Sequence, residues 1–220
     1  MDISVFEVLG PLMIGPSSSH TAGAAKLARV SRIIAGDKFT HVSFGLHGSF
    51  AKTYKGHGTD IALVAGALGL NEDDERLAKA FYLAKEQGIT YDFYEIELYD
   101  MHENSVKITF TMEDGSKSEI IGSSIGGGQI LIKEINGFDV ELTGGLNTIV
   151  IKQKDIKGVV SEISTLLSNN DINIGNMKLS RKAKGDIACC IIETDSNLDK
   201  SLIEDLGKIE NILSVQAINV

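Results

Sequence analysis

The run Thr148-Ile149-Val150-Ile151-Lys152-Gln153, with Asp155-Ile156-Lys157-Gly158 just behind it, decides how the C-terminal third of this chain is built. A dense set of β-branched residues predicts a strand, and the glycine predicts the entry to a helix over Gly158–Asn169. Ile172–Arg181 and Asp186–Glu193 then read as a hairpin around Lys184-Gly185. A helix over Lys200–Lys208 and a last strand over Ile212–Val220 complete the order βαββαβ, which is the ferredoxin-like arrangement.

Upstream of this module, Leu142-Thr143-Gly144-Gly145-Leu146 breaks the pattern and predicts two domains, 1–146 and 147–220. In the first, Ser19–Gly36 reads as a helix whose buried face carries Ala24, Leu27, Ala28, Ser31 and Ile34. Val42, Phe44 and Leu46 alternate as a strand, and His47-Gly48-Ser49 reads as a turn. A small-residue helix follows, capped by Thr59 or Asp60 and running through Leu70. Another is expected from about Asp73 to Gln87, capped by Asn71 or Asp73. Strands near Tyr91–Tyr99 and Val106–Met112 come next, with Asp114-Gly115 as a hairpin turn and further strands on either side of Gly126-Gly127-Gly128. The fold class is α+β, with helices covering one face of a mainly antiparallel sheet.

Chemistry concentrates in Gly15-Pro16-Ser17-Ser18-Ser19-His20-Thr21. A packed core has no use for four hydroxyls and an imidazole in five consecutive positions. At a helix N-terminus such a run gathers free N–H groups and positive dipole, which suits a small anion such as a carboxylate. His20 adds a group that titrates near neutral pH. A second concentration is Lys55-Gly56-His57-Gly58-Thr59-Asp60, where the glycines permit close backbone approach or positive φ. His41 and His47 read as structural, and the acidic runs Glu72–Glu75 and Asp92–Asp100 as solvated surface.

Composition narrows the field. The 220 residues are 43% hydrophobic and 23% charged, an ordinary globular balance. A net charge of −9 and a pI near 5.0 argue against nucleic acid and anionic membrane as partners. Without a basic, then apolar, N-terminal segment or a membrane-length apolar run, a cytoplasmic protein is expected. Cys189 and Cys190 are adjacent, should point to opposite faces of a strand, and cannot supply an all-cysteine metal site. No phosphate-binding Gly-x-x-x-x-Gly-Lys-Ser/Thr or Gly-x-Gly-x-x-Gly loop is present.

Residues 1–146 resemble the beta domain of iron–sulfur-dependent L-serine dehydratases. The resemblance rests on Val5-Phe6-Glu7-x-x-Gly10-Pro11, Ile14–Thr21, Gly48-Ser49-Phe50-Ala51, Lys55–Asp60 and Ser124-Ile125-Gly126-Gly127-Gly128. Ala24 and Tyr54 depart from the single-chain pattern toward the two-chain one, and His102-Glu103-Asn104 stands where the family has His-Pro-Asn. The tail resembles an ACT domain through Asp155-x-x-Gly158, Asn173-Ile174 and the Gly185 hairpin.

These resemblances imply the small subunit of a two-chain enzyme that converts L-serine to pyruvate and ammonia. They imply a 4Fe-4S cluster held by a cysteine-bearing alpha subunit, in agreement with the cysteine count. His57, Thr59, His20, His102 and Asn104 would be catalytic, His57 and Thr59 leading for proton transfer and substrate contact. Ser17, Ser18, Ser19, Thr21, Gly126, Gly127 and Gly128 would line the substrate site. Asp155, Lys157, Gly158, Asn173 and Ile174 would hold an amino-acid effector, and the chain would form a homodimer. A rival reading takes the chain as a non-catalytic amino-acid sensor, resembling the regulatory domains of some phosphoglycerate dehydrogenases. Polar groups at three distant places favour the enzyme.

Overall fold

A computed structural model describes residues 15–219; Val5–Pro11, Ile14 and the terminal Val220 lie outside the described residues. The chain divides into two compact units, residues 1–136 and 137–220. Among the described residues no helix is long and apolar enough to cross a membrane.

Among the described residues of the first unit, a π-helical turn, Ser18–Ala22, continues into α1, Gly23–Ala35. Ala24, Leu27, Ala28, Ser31 and Ile34 are all buried, as their spacing predicts. Strands β1 (Phe39–Leu46), β2 (Thr90–Glu95), β3 (Ser105–Met112), β4 (Lys117–Gly126) and β5 (Gln129–Ile135) lie in the spatial order β2-β1-β3-β4-β5. Only β1 and β2 run parallel; every other neighbouring pair here is antiparallel. Val42, Phe44, Leu46, Ile108, Phe110 and Ile120 form the buried face. The opposite face carries polar cross-strand pairs such as His41–Asp92 at 2.7 Å and Lys107–Glu119 at 2.9 Å. His41 therefore ties β1 to the edge strand, and His47 accepts the Leu98 N–H at 3.2 Å.

Small residues let α1 meet α3 (Thr59–Ala67) closely. A Cβ on Gly66 would fall 2.1 Å from the Ala25 carbonyl oxygen. The sequence reading is corrected at three places. His47-Gly48-Ser49 does not turn away but begins α2, Gly48–His57, because Ser49 N–H donates to the Glu103 carbonyl at 2.8 Å and Phe50 is fully buried. The expected Asp73–Gln87 helix is a 3-10 turn, Glu75–Lys79, followed by α4, Ala80–Glu86. Its cap is Asp74, whose carboxylate accepts the Arg76 N–H at 2.9 Å. Neither Thr59 nor Asp60 caps α3; the cap is Gly58 at φ +67°, a left-handed position suited to glycine.

The second unit contains β6 (Phe138–Leu142), β7 (Asn147–Lys154), α5 (Val159–Asn169), β8 (Ile174–Arg181), β9 (Ile187–Thr194), α6 (Lys200–Lys208) and β10 (Ile212–Ile218). The order β10-β7-β9-β8 is the expected ferredoxin-like sheet. Both helices pack on one face over Ile149, Ile151, Cys190 and Ile192. Cys189 points to the other face, level with Lys152 and Ser180. Within this unit β6 packs on β8 and β9. Ser180 donates its hydroxyl to the Asp139 carbonyl, and the Lys182 ammonium lies 5.0 Å over the Phe138 ring.

Gly66→Ala should cost about 1–3 kcal/mol in urea unfolding, since its Cβ meets backbone that cannot swing aside. Gly56→Ala, with open space around its Cβ, should instead be neutral or stabilising by up to about 1 kcal/mol.

Candidate active site

The π turn is organised by its own hydroxyls. Ser17 caps it, its Oγ accepting the His20 N–H at 3.1 Å. Ser19 Oγ lies 3.1 Å from His20 Nδ1 and 3.4 Å from Ser17 Oγ. Thr21 is buried and donates its hydroxyl to the His57 carbonyl at 3.2 Å. Among the described residues, only the hydroxyl of Ser18 in this run has no partner. Most of the run thus builds the loop itself.

Helix α2 brings the second histidine. Ser49, Thr53 and His57 recur at every fourth residue and so share one helix face. The His20 and His57 rings are 4.8 Å apart between centroids, and Phe50 meets the His20 ring edge-on at 5.3 Å. A carbonyl only accepts, so the 3.3 Å contact between His57 Nδ1 and the Thr53 carbonyl requires a proton on Nδ1. In the neutral ring that leaves Nε2 bare, and His57 is exposed. Burial, then the neighbouring His57, holds His20 below the ordinary histidine value of 6.5.

Thr59 lies two residues beyond His57, fully buried, with an Oγ that has no partner among the described residues. Such a hydroxyl costs roughly 1–3 kcal/mol unless something supplies the bond. His102 is exposed, and its Nδ1 accepts the Asn104 N–H at 3.0 Å. Its segment joins the site through the backbone: Glu103 receives Ser49 N–H, and the Asn104 carbonyl receives Ser124 N–H at 2.9 Å. No contact joins the His102 or Asn104 side chain to the imidazole pair among the described residues.

Gly127 and Gly128 form the β4–β5 turn at φ +61° and +75° after Gly126 closes β4 at φ +99°, and Gly126 and Gly127 have open space around them. The residue that reaches the π turn is Ser124, whose Oγ would lie 2.0 Å from a Cβ on Gly23. Sequence reasoning missed Ser49 and Thr53 because their role depends on a helix it read as a turn.

In the second unit Asp155 accepts from Arg181 Nη1 at 2.8 Å and Gly185 N–H at 3.1 Å, and Arg181 above all holds its carboxyl below the usual range. Gly158 enters α5 at φ +99°, and Asn173 donates to Asp195 at 3.0 Å. Asp155, Lys157 and Gly158 follow β7 at the end where Lys154 pairs Ile187, whereas Asn173 and Ile174 adjoin Thr194 at the other end. A single copy does not bring these two groups together.

The donor set does not fit an iron–sulfur cluster. The only cysteines are buried, burial pushing Cys189 up to about 11 and Cys190 up to about 12. Among the described residues no group of three or more histidine, cysteine or carboxylate side chains is placed to hold a metal ion.

Residues 4–87 match the family model of the serine dehydratase beta chain. The chain is 43% identical to the L-serine dehydratase beta chain of Peptoniphilus asaccharolyticus, over all of this chain and 99% of that one. It is 42% identical to a probable L-serine dehydratase beta chain of Bacillus subtilis, over 98% of this chain and 97% of that one. Similarity to the D-3-phosphoglycerate dehydrogenase of Bacillus subtilis is weaker, at 28% identity over 63% of this chain and 26% of that one. A two-unit α+β chain with an imidazole pair at a hydroxyl-rich turn is thus placed among enzyme subunits. The chain belongs to the L-serine dehydratase beta-chain family.

His20 should titrate below 6.5 by NMR and move upward in His57→Gln, which removes the neighbouring charge. The unfolded chain binds this proton more readily, so the group should cost stability as pH falls below 6.5 and leave it unaffected above. A His20 value at or above 6.5 would contradict the burial described here.

Proposed function

We propose that this chain supplies the base that opens L-serine to elimination. The observation that carries the reading is the bare Nε2 of exposed His57, with Nδ1 anchored on the Thr53 carbonyl. His57 Nε2 takes the α-proton of serine. The electron pair of that C–H bond becomes the Cα–Cβ double bond as the β-hydroxyl departs. The aminoacrylate released then hydrolyses to pyruvate and ammonia.

His20 serves this step by staying neutral. A second cation 4.8 Å from a protonated His57 would cost about 1 kcal/mol in water-like surroundings, or about 3 kcal/mol at an effective dielectric near 20. The exposure of His57 favours the lower figure. Ser18 offers its uncommitted hydroxyl to the substrate carboxylate, and Thr59 finds the partner it lacks when the site is filled. His102 and Asn104 border the pocket through the Ser49–Glu103 link. The Gly126–Gly128 turn bounds it through Ser124.

The 4Fe-4S cluster belongs to a cysteine-bearing alpha subunit, because the thiols here are buried, adjacent and held protonated. Departure of the hydroxyl is that subunit's part of the work. The enzyme is a cytoplasmic hetero-oligomer in which copies of this chain pair through the second unit. Pairing brings Asp155, Lys157 and Gly158 of one copy to Asn173 and Ile174 of the next, where an amino-acid effector binds.

The purified chain should show no serine deamination. Mixed anaerobically with its alpha subunit it should form pyruvate, and His57→Ala in the intact assembly should lower kcat by about 100-fold or more. Full activity from this polypeptide alone, or unchanged turnover in His57→Ala, would overturn the reading.

A further inference from the structure

We propose that Ser49 is a positioning residue that holds His20 by Nε2, completing a hydroxyl clamp on both nitrogens of that imidazole. The inference rests on the catalytic reading above. Ser49 Oγ lies 3.2 Å from Nε2, opposite Ser19 Oγ at 3.1 Å from Nδ1. The two serines stand 30 positions apart, so a local turn cannot supply both contacts. A hydroxyl donates or accepts as required. Either neutral tautomer of His20 is therefore satisfied, one serine donating to the bare nitrogen and the other accepting from the protonated one.

The position of Ser49 is itself determined. Its N–H donates to the Glu103 carbonyl at 2.8 Å, and Gly48, at φ +55°, lies so near Glu103 that a Cβ would come within 2.6 Å of its carboxylate. Phe50, fully buried, blocks tilting of the His20 ring from the side. The same helix face sets His57: Thr53 Oγ donates to the Ser49 carbonyl at 2.8 Å, and the Thr53 carbonyl receives His57 Nδ1–H at 3.3 Å. Residue 49 holds one imidazole through its side chain, and the helix above it holds the other. α2 thus acts as a ruler for the spacing of the pair. A serine serving only to start the helix would need no bond to a residue outside it.

The test uses Ser49→Ala, Ser49→Cys and Ser49→Thr. In the assembled holoenzyme, Ser49→Ala and Ser49→Cys should lower kcat about tenfold or more with KM within about twofold, and Ser49→Thr should recover most of the loss. In the isolated full-length chain, the 15N resonance of His20 Nε2 should shift in Ser49→Ala and Ser49→Cys and return toward the parent value in Ser49→Thr. If Ser49→Ala does not fold, Ser49→Cys carries the comparison, because it keeps the size and loses the strong hydrogen bond. Unchanged His20 resonances in the folded variant overturn the clamp. Shifted resonances with unchanged kcat overturn its catalytic role. If His57→Ala retains full turnover while Ser49 still controls the His20 resonance, the clamp stands and the catalytic reading fails.

Discussion

The geometry of the site depends on one backbone acceptor. The Glu103 carbonyl receives Ser49 N–H, and Phe50 N–H approaches it at 3.4 Å, so the start of α2 is tied to the segment entering β3. From that tie the helix runs far enough to carry Ser49, Thr53 and His57 on one face and to bring His57 within 4.8 Å of His20 between ring centroids. Without it, Gly48 at φ +55° and the glycines at 56 and 58 would favour an irregular loop.

The π turn is the complementary constraint. Its extra residue widens the helix just where His20 and Thr21 must face α2, and π turns of this kind recur at functional sites. The geometry there is held by close approach: Gly23 admits Ser124, and Gly66 admits the Ala25 carbonyl. Small residues therefore shape the turn indirectly, by letting α1, α3 and β4 converge on it. Packing of this density seals the Thr59 hydroxyl, which has no partner among the described residues.

Much of this was legible beforehand. The alternation of Val42, Phe44 and Leu46, the face of Ala24, Leu27 and Ala28, and the βαββαβ order all follow from local periodicity, which burial then confirms. The hydroxyl run and the His57 segment stood out because neither composition suits a core. The α2 helix did not, since its first residues look like a turn and its support comes from residue 103, some fifty positions away.

Sequence alone determined the types of element, the covered helix faces, and the presence of two histidines in hydroxyl- and glycine-rich settings, because these depend on neighbours within a few residues. Only the tertiary structure decided that Ser17, Ser19 and Thr21 build the loop, that Ser49 reaches His20, and that Asp155 and Asn173 lie apart. Hydrogen bonds are short and directional, and their partners here are drawn together by long-range packing.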